Sequence, residues 1–124
     1  MTNPDPQKFL HDNLLEDLPD AADAEMFETL VSAEHLRIER IVSRGQITPP
    51  GEWYDQPEHE WVTVLRGHAR VMTADGAERA LRAGDAMLIP AHVRHRVSWT
   101  DPDQETVWLA VHFSGPIKYQ TSHG

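Results

Sequence analysis

The stretch Gly84-Asp85-Ala86-Met87-Leu88-Ile89-Pro90-Ala91-His92-Val93-Arg94-His95 decides the fold of this 124-residue chain. It holds a Gly-Asp turn signal, a short apolar run and a proline that ends the run. An apolar run this short between turn signals is typical of a buried strand rather than of a helix. The stretch therefore predicts a strand, a turn and the start of a second strand.

Similar short runs lie on both sides of this stretch. They predict eight strands over residues 26–31, 36–43, 60–66, 68–73, 78–82, 86–89, 94–99 and 106–113. Asp75-Gly76 lies between two of them and predicts a tight hairpin, because glycine tolerates a positive φ. Several short strands separated by turn signals predict an all-β sandwich or barrel.

The first 25 residues have a different character. They carry leucines at roughly helical spacing, Leu10, Leu14, Leu15 and Leu18. This spacing predicts a short acidic helical arm over residues 1–25, which Pro19 interrupts. The barrel is then expected over residues 26–116 and a C-terminal tail over residues 117–124.

Three polar side chains are expected inside the barrel, because successive side chains of a strand point to opposite faces. Each one alternates with apolar residues, in the sets Ile38-Arg40-Val42, Glu60-Val62-Val64 and His95-Val97-Trp99. A charged group on such a face needs a compensating partner. One interpretation is that Glu60 pairs with Arg40 or His95 in a buried polar cluster; another is that these groups bind a ligand.

The stretch from Gly84 to His95 resembles the second sequence motif of the cupin family, G-x5-P-x-G-x2-H-x3-N. Gly84, Pro90 and His95 stand in register with it, whereas His92 replaces the inner glycine and Trp99 the final asparagine. The resemblance implies an all-β cupin fold, a double-stranded β-helix or jelly-roll barrel. The chain is similar to the small single-domain bacterial cupins.

The segment from Glu60 to Gly67 resembles the end of the first cupin motif, G-x5-H-x-H-x3,4-E-x6-G. In the family, the two histidines and the glutamate of this motif hold a divalent metal together with the histidine of the second motif. Here Tyr54 and Gln56, or Trp53 and Asp55, stand where those histidines are expected. The resemblance implies a site for Fe, Mn, Ni or Zn held by the set Gln56, Glu60 and His95, which are oxygen and nitrogen donors that suit these ions.

Other residues are candidates for catalysis or substrate binding. Tyr54 could donate a proton while His95 acts as general base. Arg40 could hold a carboxylate or phosphate, or form an ion pair with Glu60. Trp99 could form a wall of the cavity. His112 could enter the cavity as a ligand or an acid/base, or be a core histidine with a backbone partner.

Three functions remain open from these residues. The leading expectation is a metal-dependent enzyme on a small molecule, because dioxygenases, isomerases and lyases occur on this barrel. The second is a metal-free enzyme with His95 as general base, since sugar epimerases of the superfamily work without metal. The third is a non-catalytic small-ligand-binding cupin. The fold alone does not choose between them.

Charge and composition limit the classes of partner that are expected for this chain. The net charge is −9, and residues 1–34 hold nine acidic residues against Lys8 alone. A nucleic-acid-binding face would have to be basic, so no nucleic-acid partner is expected. No apolar run is long enough to cross a membrane and no signal peptide is visible, which predicts a cytoplasmic protein. The resemblance implies a homodimer formed by sheet-to-sheet packing.

Overall fold

A computed structural model describes residues 11–118, which form eight β-strands in two antiparallel sheets. The strands are β1 Met26–Ala33, β2 Leu36–Ser43, β3 His59–Arg66, β4 His68–Thr73, β5 Glu78–Arg82, β6 Ala86–Ile89, β7 His95–Thr100 and β8 Thr106–Phe113. One sheet has the strand order β1-β2-β8-β3-β6, and the other has the order β5-β4-β7. All eight predicted strands are confirmed, each within two residues of its expected ends.

The core lies between the two sheets and draws small apolar side chains from both. Val62 and Val64 of β3 face Ala69 and Val71 of β4, and all four are almost completely buried. Branched aliphatic residues favour strands because they pack well on a pleated surface. The prediction that Glu60, Val62 and Val64 share the inner face is confirmed, since Glu60 is buried with them.

Two glycines shape tight turns, one within the three-stranded sheet and one between the two sheets. Gly76 has a φ of +89°, and it closes the β4–β5 hairpin at the predicted position, where Thr73 N donates to the Ala77 carbonyl at 2.9 Å. Gly67, at the β3–β4 turn, has a φ of +95°. A Cβ at Gly67 would lie 2.7 Å from the carbonyl oxygen of Glu105, so a side chain does not fit there.

The connection between β2 and β3 leaves the five-stranded sheet, to which both strands belong, and returns to it. Its Thr48 N donates to the Val97 carbonyl at 2.9 Å, and Tyr54 forms an isolated antiparallel bridge with His95. These contacts hold the connection along β7, in the three-stranded sheet. They bring Tyr54 and Gln56 to one end of the barrel, where the cavity described below opens.

The predicted N-terminal helix is not seen in the part of the arm that the structure describes. Residues 1–10 lie outside the described residues, and residues 11–25 form turns. The side chains of Asn13 and Asp20 accept hydrogen bonds from the backbone N–H groups of Leu15 and Ala22, each at 2.9 Å. Such local bonds compete with helix formation. No helix in residues 11–118 is long and apolar enough to cross a membrane.

Candidate functional site

A cavity of about 130 Å³ lies inside the barrel, between the two sheets. Its apolar wall consists of Phe27, Ile41, Val62, Val71, Ile89, Val97 and Trp108. Its polar side chains are Glu25, Arg37, Glu39, Tyr54, Gln56, Glu60, His95 and His112. An apolar pocket with a few convergent polar groups is the usual form of a small-molecule site.

His95 begins β7 and points into this cavity with only 5% of its surface exposed. Its Nδ1 lies 2.9 Å from the carbonyl oxygen of Val93. Because a carbonyl oxygen can only accept, Nδ1 carries the hydrogen and the ring orientation is fixed. Nε2 is therefore the nitrogen that gains or loses a proton, or that donates its lone pair to a ligand.

Glu60 of β3 faces this nitrogen from the other sheet. Its Oε1 lies 3.6 Å from Nε2 of His95, which is longer than a hydrogen bond and short enough for an ionic contact. Burial by itself lowers the pKa of His95, but its interactions with Glu60 and with the Val93 carbonyl outweigh burial and raise that pKa. Glu60 thus favours the protonated imidazole.

Tyr54 covers His95 at the mouth of the cavity. The two rings stack with their centroids 5.5 Å apart and their planes at 28°. Burial raises the pKa of the Tyr54 phenol, and the negative charges of Glu25 and Glu60 raise it further. The phenol therefore keeps its proton at neutral pH and can act as a proton donor.

Gln56 lines the same end of the cavity. Its Oε1 is buried and has no hydrogen-bond partner among residues 11–118. The Gln56 carbonyl accepts a hydrogen bond from His92 N at 2.8 Å, and His92 Nδ1 lies 2.9 Å from Oδ1 of Asp55. His92 has a φ of +64° at the position where the cupin motif has glycine, so these contacts offset an unfavourable backbone conformation.

A second carboxylate–imidazole pair lies on another wall, and the sequence does not predict it as a pair. His112 Nε2 lies 3.1 Å from Oε1 of Glu39, and Arg37 Nε donates to the same oxygen at 2.9 Å. His112 stands opposite Glu60 in the β3–β8 ladder, so both point into the cavity. His112 thus lines the cavity with a glutamate rather than a backbone group as its partner, and its role toward a substrate stays a prediction.

Arg40 does not point into the cavity, and this expectation is corrected. Its guanidinium lies on the outer face of β2, where Nε donates to Glu28 at 2.7 Å and Nη1 donates to the carbonyls of Leu14 and Glu16, both at 3.1 Å. The cavity instead receives the alternate residues of β2, Arg37, Glu39 and Ile41. Residues 11–25 cover the outer face of β2, so Arg40 and Val42 are buried there. Their alternation in the sequence therefore has the same pattern as that of a face that points into the barrel.

Trp99 is likewise not a wall of the cavity. The β4–β7 register pairs Val71 with Val97 but Arg70 with Trp99, which marks a bulge in β7. A bulge adds one residue to a strand and reverses the faces of the side chains beyond it. Trp99 therefore lies outside the cavity, where its ring meets the edge of His68 at a centroid distance of 5.0 Å and the guanidinium of Arg70 at 5.3 Å.

The donors available for a metal ion are few. Residues 11–118 contain no group of three or more His, Cys, Asp or Glu side chains that could hold an ion. Near His95 the available donors are Nε2 of that residue, the Glu60 carboxylate and the amide oxygen of Gln56. The buried, unpartnered oxygen of Gln56 makes this three-donor set compatible with an ion, although it contains one imidazole only.

Comparison with known protein families identifies the family to which the barrel is related. The sequence profile described as Cupin domain matches residues 41–112, more than half of the chain. No curated protein sequence matches the chain. The matched residues include Glu60, His95 and most of the other residues that line the cavity.

Solved structures share the same barrel. A candidate mannose-6-phosphate isomerase from Ralstonia eutropha is 50% identical, with a TM-score of 0.82 over 86% of this chain and 99% of that one. A Streptococcus pyogenes protein of unknown function is 21% identical, with a TM-score of 0.69 over 94% and 95% of the two chains. An RmlC-like cupin from Desulfovibrio desulfuricans is 18% identical, with a TM-score of 0.68 over 85% and 97%. The latter two likenesses concern the fold alone.

Proposed function

This chain belongs to the cupin family, and on that basis we propose that its barrel cavity binds a small organic compound and isomerises it by acid–base catalysis. The observation that carries the proposal is the pair formed by His95 and Glu60 inside the cavity. The proposal includes the cytoplasmic location expected from the sequence.

His95 is the proposed general base. The Val93 carbonyl holds Nδ1–H, so Nε2 alone exchanges protons with a bound compound. The Glu60 carboxylate stabilises the imidazolium that forms when Nε2 takes a proton. The raised pKa of His95 makes it a stronger base, and also means that the neutral, active form increases as the pH rises through that pKa.

Tyr54 is the proposed proton donor. Its phenol stays protonated at neutral pH because burial and nearby carboxylates oppose its ionisation. In the proposed reaction, His95 removes a proton from a carbon next to a carbonyl group while Tyr54 protonates the carbonyl oxygen. In the enediol that results, protonated His95 delivers its proton to the former carbonyl carbon. The hydroxyl group on the deprotonated carbon gives its proton to the Tyr54 phenolate, so the new carbonyl group forms on that carbon and no atoms are gained or lost.

The class of reaction is supported by the Ralstonia eutropha protein, which is a candidate isomerase, is half identical to this chain and is matched over nearly its whole length. Isomerisation of a hydroxy-carbonyl compound needs a base and an acid on one substrate, and His95 and Tyr54 are adjacent in the cavity. A cavity of about 130 Å³ suits a compound of small size.

A metal-dependent reaction is the second candidate, and the unpartnered Oε1 of Gln56 is the observation that favours it. Gln56, Glu60 and His95 would hold a divalent ion such as Fe, Mn, Ni or Zn. The ion would supply Lewis-acid chemistry toward a substrate oxygen. In that case Tyr54 would still cover the site and keep its proton, and His95 would be a ligand rather than a base.

Proton exchange with solvent tests the proposal on many compounds of the expected class. The purified protein is incubated in D2O with a panel of aldoses, ketoses and other hydroxy-carbonyl compounds, and loss of the proton next to the carbonyl group is followed by NMR. We expect exchange on at least one compound, with and without a strong chelator. The variants His95→Asn and Glu60→Gln should lose it.

Glu34→Gln is the matched control, because Glu34 is an exposed acid in the β1–β2 turn and does not line the cavity. It removes the same charge and should leave exchange unchanged. Exchange that disappears on chelation and returns with an added ion would favour the metal-dependent candidate. A compound that binds but never exchanges would contradict catalysis and favour a binding protein.

A further inference from the structure

The cavity has an excess of carboxylates over positive charges. Glu25, Glu39 and Glu60 line it, and Arg37 is the one lysine or arginine among the described residues that does so. The Arg37 guanidinium already has two carboxylate partners, since Nε donates to Glu39 at 2.9 Å and Nη1 lies 3.3 Å from Glu58. Two carboxylates thus surround the single guanidinium.

The two imidazoles of the cavity supply no positive charge that lacks a carboxylate partner. His95 Nε2 faces Glu60 at 3.6 Å, and His112 Nε2 faces Glu39 at 3.1 Å. Each imidazole, when it is protonated, is matched by a carboxylate that already lies beside it. A bound anion would therefore find no uncommitted positive charge among the described residues of the cavity wall.

We infer that the ligand of this cavity is a hydroxylated compound without a phosphate or carboxylate group. The inference rests on the proposed function and names the class of its substrate. Carboxylates and imidazoles accept hydrogen bonds from hydroxyl or ammonium groups, whereas a phosphate would meet like charge in a partly dehydrated site. The chain would then share a type of reaction with the Ralstonia eutropha protein but not a phosphorylated substrate.

Arg37 is the group that would have to bind a phosphate in this cavity. To do so it would have to leave Glu39, whose Oε1 also receives His112 Nε2. That exchange would leave the partly buried Glu39 carboxylate with one partner fewer. A ligand phosphate would thus compete with Glu39 for Arg37, and such competition lowers the affinity of a site for a ligand that carries an extra charged group.

A matched set of three sugars tests the inference by NMR titration of the chelated protein. Mannose is neutral, mannosamine is a cation and mannose 6-phosphate is an anion on the same carbon frame. Cavity resonances, such as the methyl groups of Val62, Val71 and Ile89, report binding. We expect mannose 6-phosphate to bind at least about tenfold more weakly than mannose, and mannosamine to bind at least as well as mannose.

Two variants locate the cause of this preference. Glu39→Gln removes one negative charge and weakens the hold on Arg37, because a neutral amide oxygen replaces the carboxylate that faces it. The ratio between mannose and mannose 6-phosphate should then fall at least about threefold. Glu34→Gln, which removes the same charge outside the cavity, should leave the ratio unchanged. Equal or tighter binding of mannose 6-phosphate by the unmodified protein would overturn the inference.

A pair of nitroxide radicals provides a readout that does not depend on the sugar. The cationic 4-amino-TEMPO and the anionic 4-carboxy-TEMPO are similar in size, and their relaxation of the exposed ring of Tyr54 reports the charge at the mouth of the cavity. The ratio of cation to anion effect should exceed that at Trp61, an exposed ring outside the cavity. A ratio no higher than at Trp61 would overturn the inference. A higher ratio with no sugar bound would support it while counting against hexoses as substrates of the proposed reaction.

Discussion

Nε2 of His95 and Oε1 of Glu60 lie 3.6 Å apart, although the two residues belong to strands of different sheets. The barrel brings them together because β7 and β3 face each other across the cavity. Neither residue has a polar neighbour on its own strand that could replace this partner: Val97 follows His95 on the inner face, and Val62 follows Glu60. The charge of Glu60 is therefore a main determinant of the protonation of His95.

The turn at Gly67 should tolerate no side chain. A Cβ there would lie 2.7 Å from the Glu105 carbonyl oxygen, and the φ of +95° is unfavourable for any other residue. We expect Gly67→Ala to lower the free energy of unfolding by about 3 kcal/mol, measured by urea denaturation.

Gly76→Ala is the control, because its φ of +89° is similar and nothing lies within 4 Å of the added Cβ. It should cost only about 1 kcal/mol, from the backbone conformation alone. Equal losses for the two variants would show that the close approach of Glu105 contributes nothing.

Arg40 should support the N-terminal segment and have no role in the cavity. Its guanidinium bonds to the carbonyls of Leu14 and Glu16 and to the carboxylate of Glu28. We expect Arg40→Met to lower the free energy of unfolding by about 2 kcal/mol and to make residues 11–25 more sensitive to protease. Proton exchange on a substrate should remain. Loss of exchange in a folded Arg40→Met protein would restore a role for Arg40 in substrate binding.

The homodimer remains a prediction, and β1 is the strand on which we expect it to form. Among the described residues β1 pairs only with β2, and it exposes the apolar side chains of Met26, Phe27, Leu30 and Val31. An edge strand of this kind favours pairing with a second copy. Light scattering should give a dimer mass across concentrations, and Phe27→Glu should weaken it at least about tenfold. A monomer at all concentrations would contradict the prediction.

Much of the fold could be predicted because turn residues and alternation are local signals. Glycine and proline mark the ends of the strands, and Glu60 and His95 stand out as polar residues in apolar alternation. Alternation cannot tell which side of a sheet faces the barrel, however. On β2 the apolar face lies under residues 11–25, so alternation assigns Arg40 to the cavity in place of Arg37 and Glu39.

The other errors also have a non-local cause. The bulge in β7 is visible only in the pairing of β7 with β4, because the sequence of β7 does not indicate it. Alternation alone therefore places Trp99 on the wrong face of the strand. The pair formed by Glu39 and His112 joins neighbouring strands that are far apart in sequence. In the sequence, the one sign of this pair is that Glu39 alternates with Ile41 on the same face of β2. The opposite face of β2 is more apolar, so alternation assigns that face to the cavity instead.

Stability should depend on pH through His95. Its pKa is raised in the folded protein above the usual value near 6.5, so the folded state binds the proton more tightly than the unfolded state. This contribution is fully present below about pH 6.5 and is lost as the pH rises through the folded-state pKa. The difference in unfolding free energy between the unmodified protein and Glu60→Gln should therefore be larger at pH 6 than at pH 9, by urea denaturation. A difference that grows toward pH 9 would contradict this linkage.

The titration of the His95 imidazole, followed by 15N NMR in the unmodified protein and in Glu60→Gln, tests the central claim most directly. We predict a neutral form with its hydrogen on Nδ1, protonation at Nε2 with a pKa above the usual value, and a lower pKa in Glu60→Gln, where burial is no longer offset. Glu34→Gln should titrate like the unmodified protein. An Nε2 that does not titrate between pH 5 and 9, or a pKa that Glu60→Gln leaves unchanged, would contradict a free acid–base centre formed by His95 and Glu60.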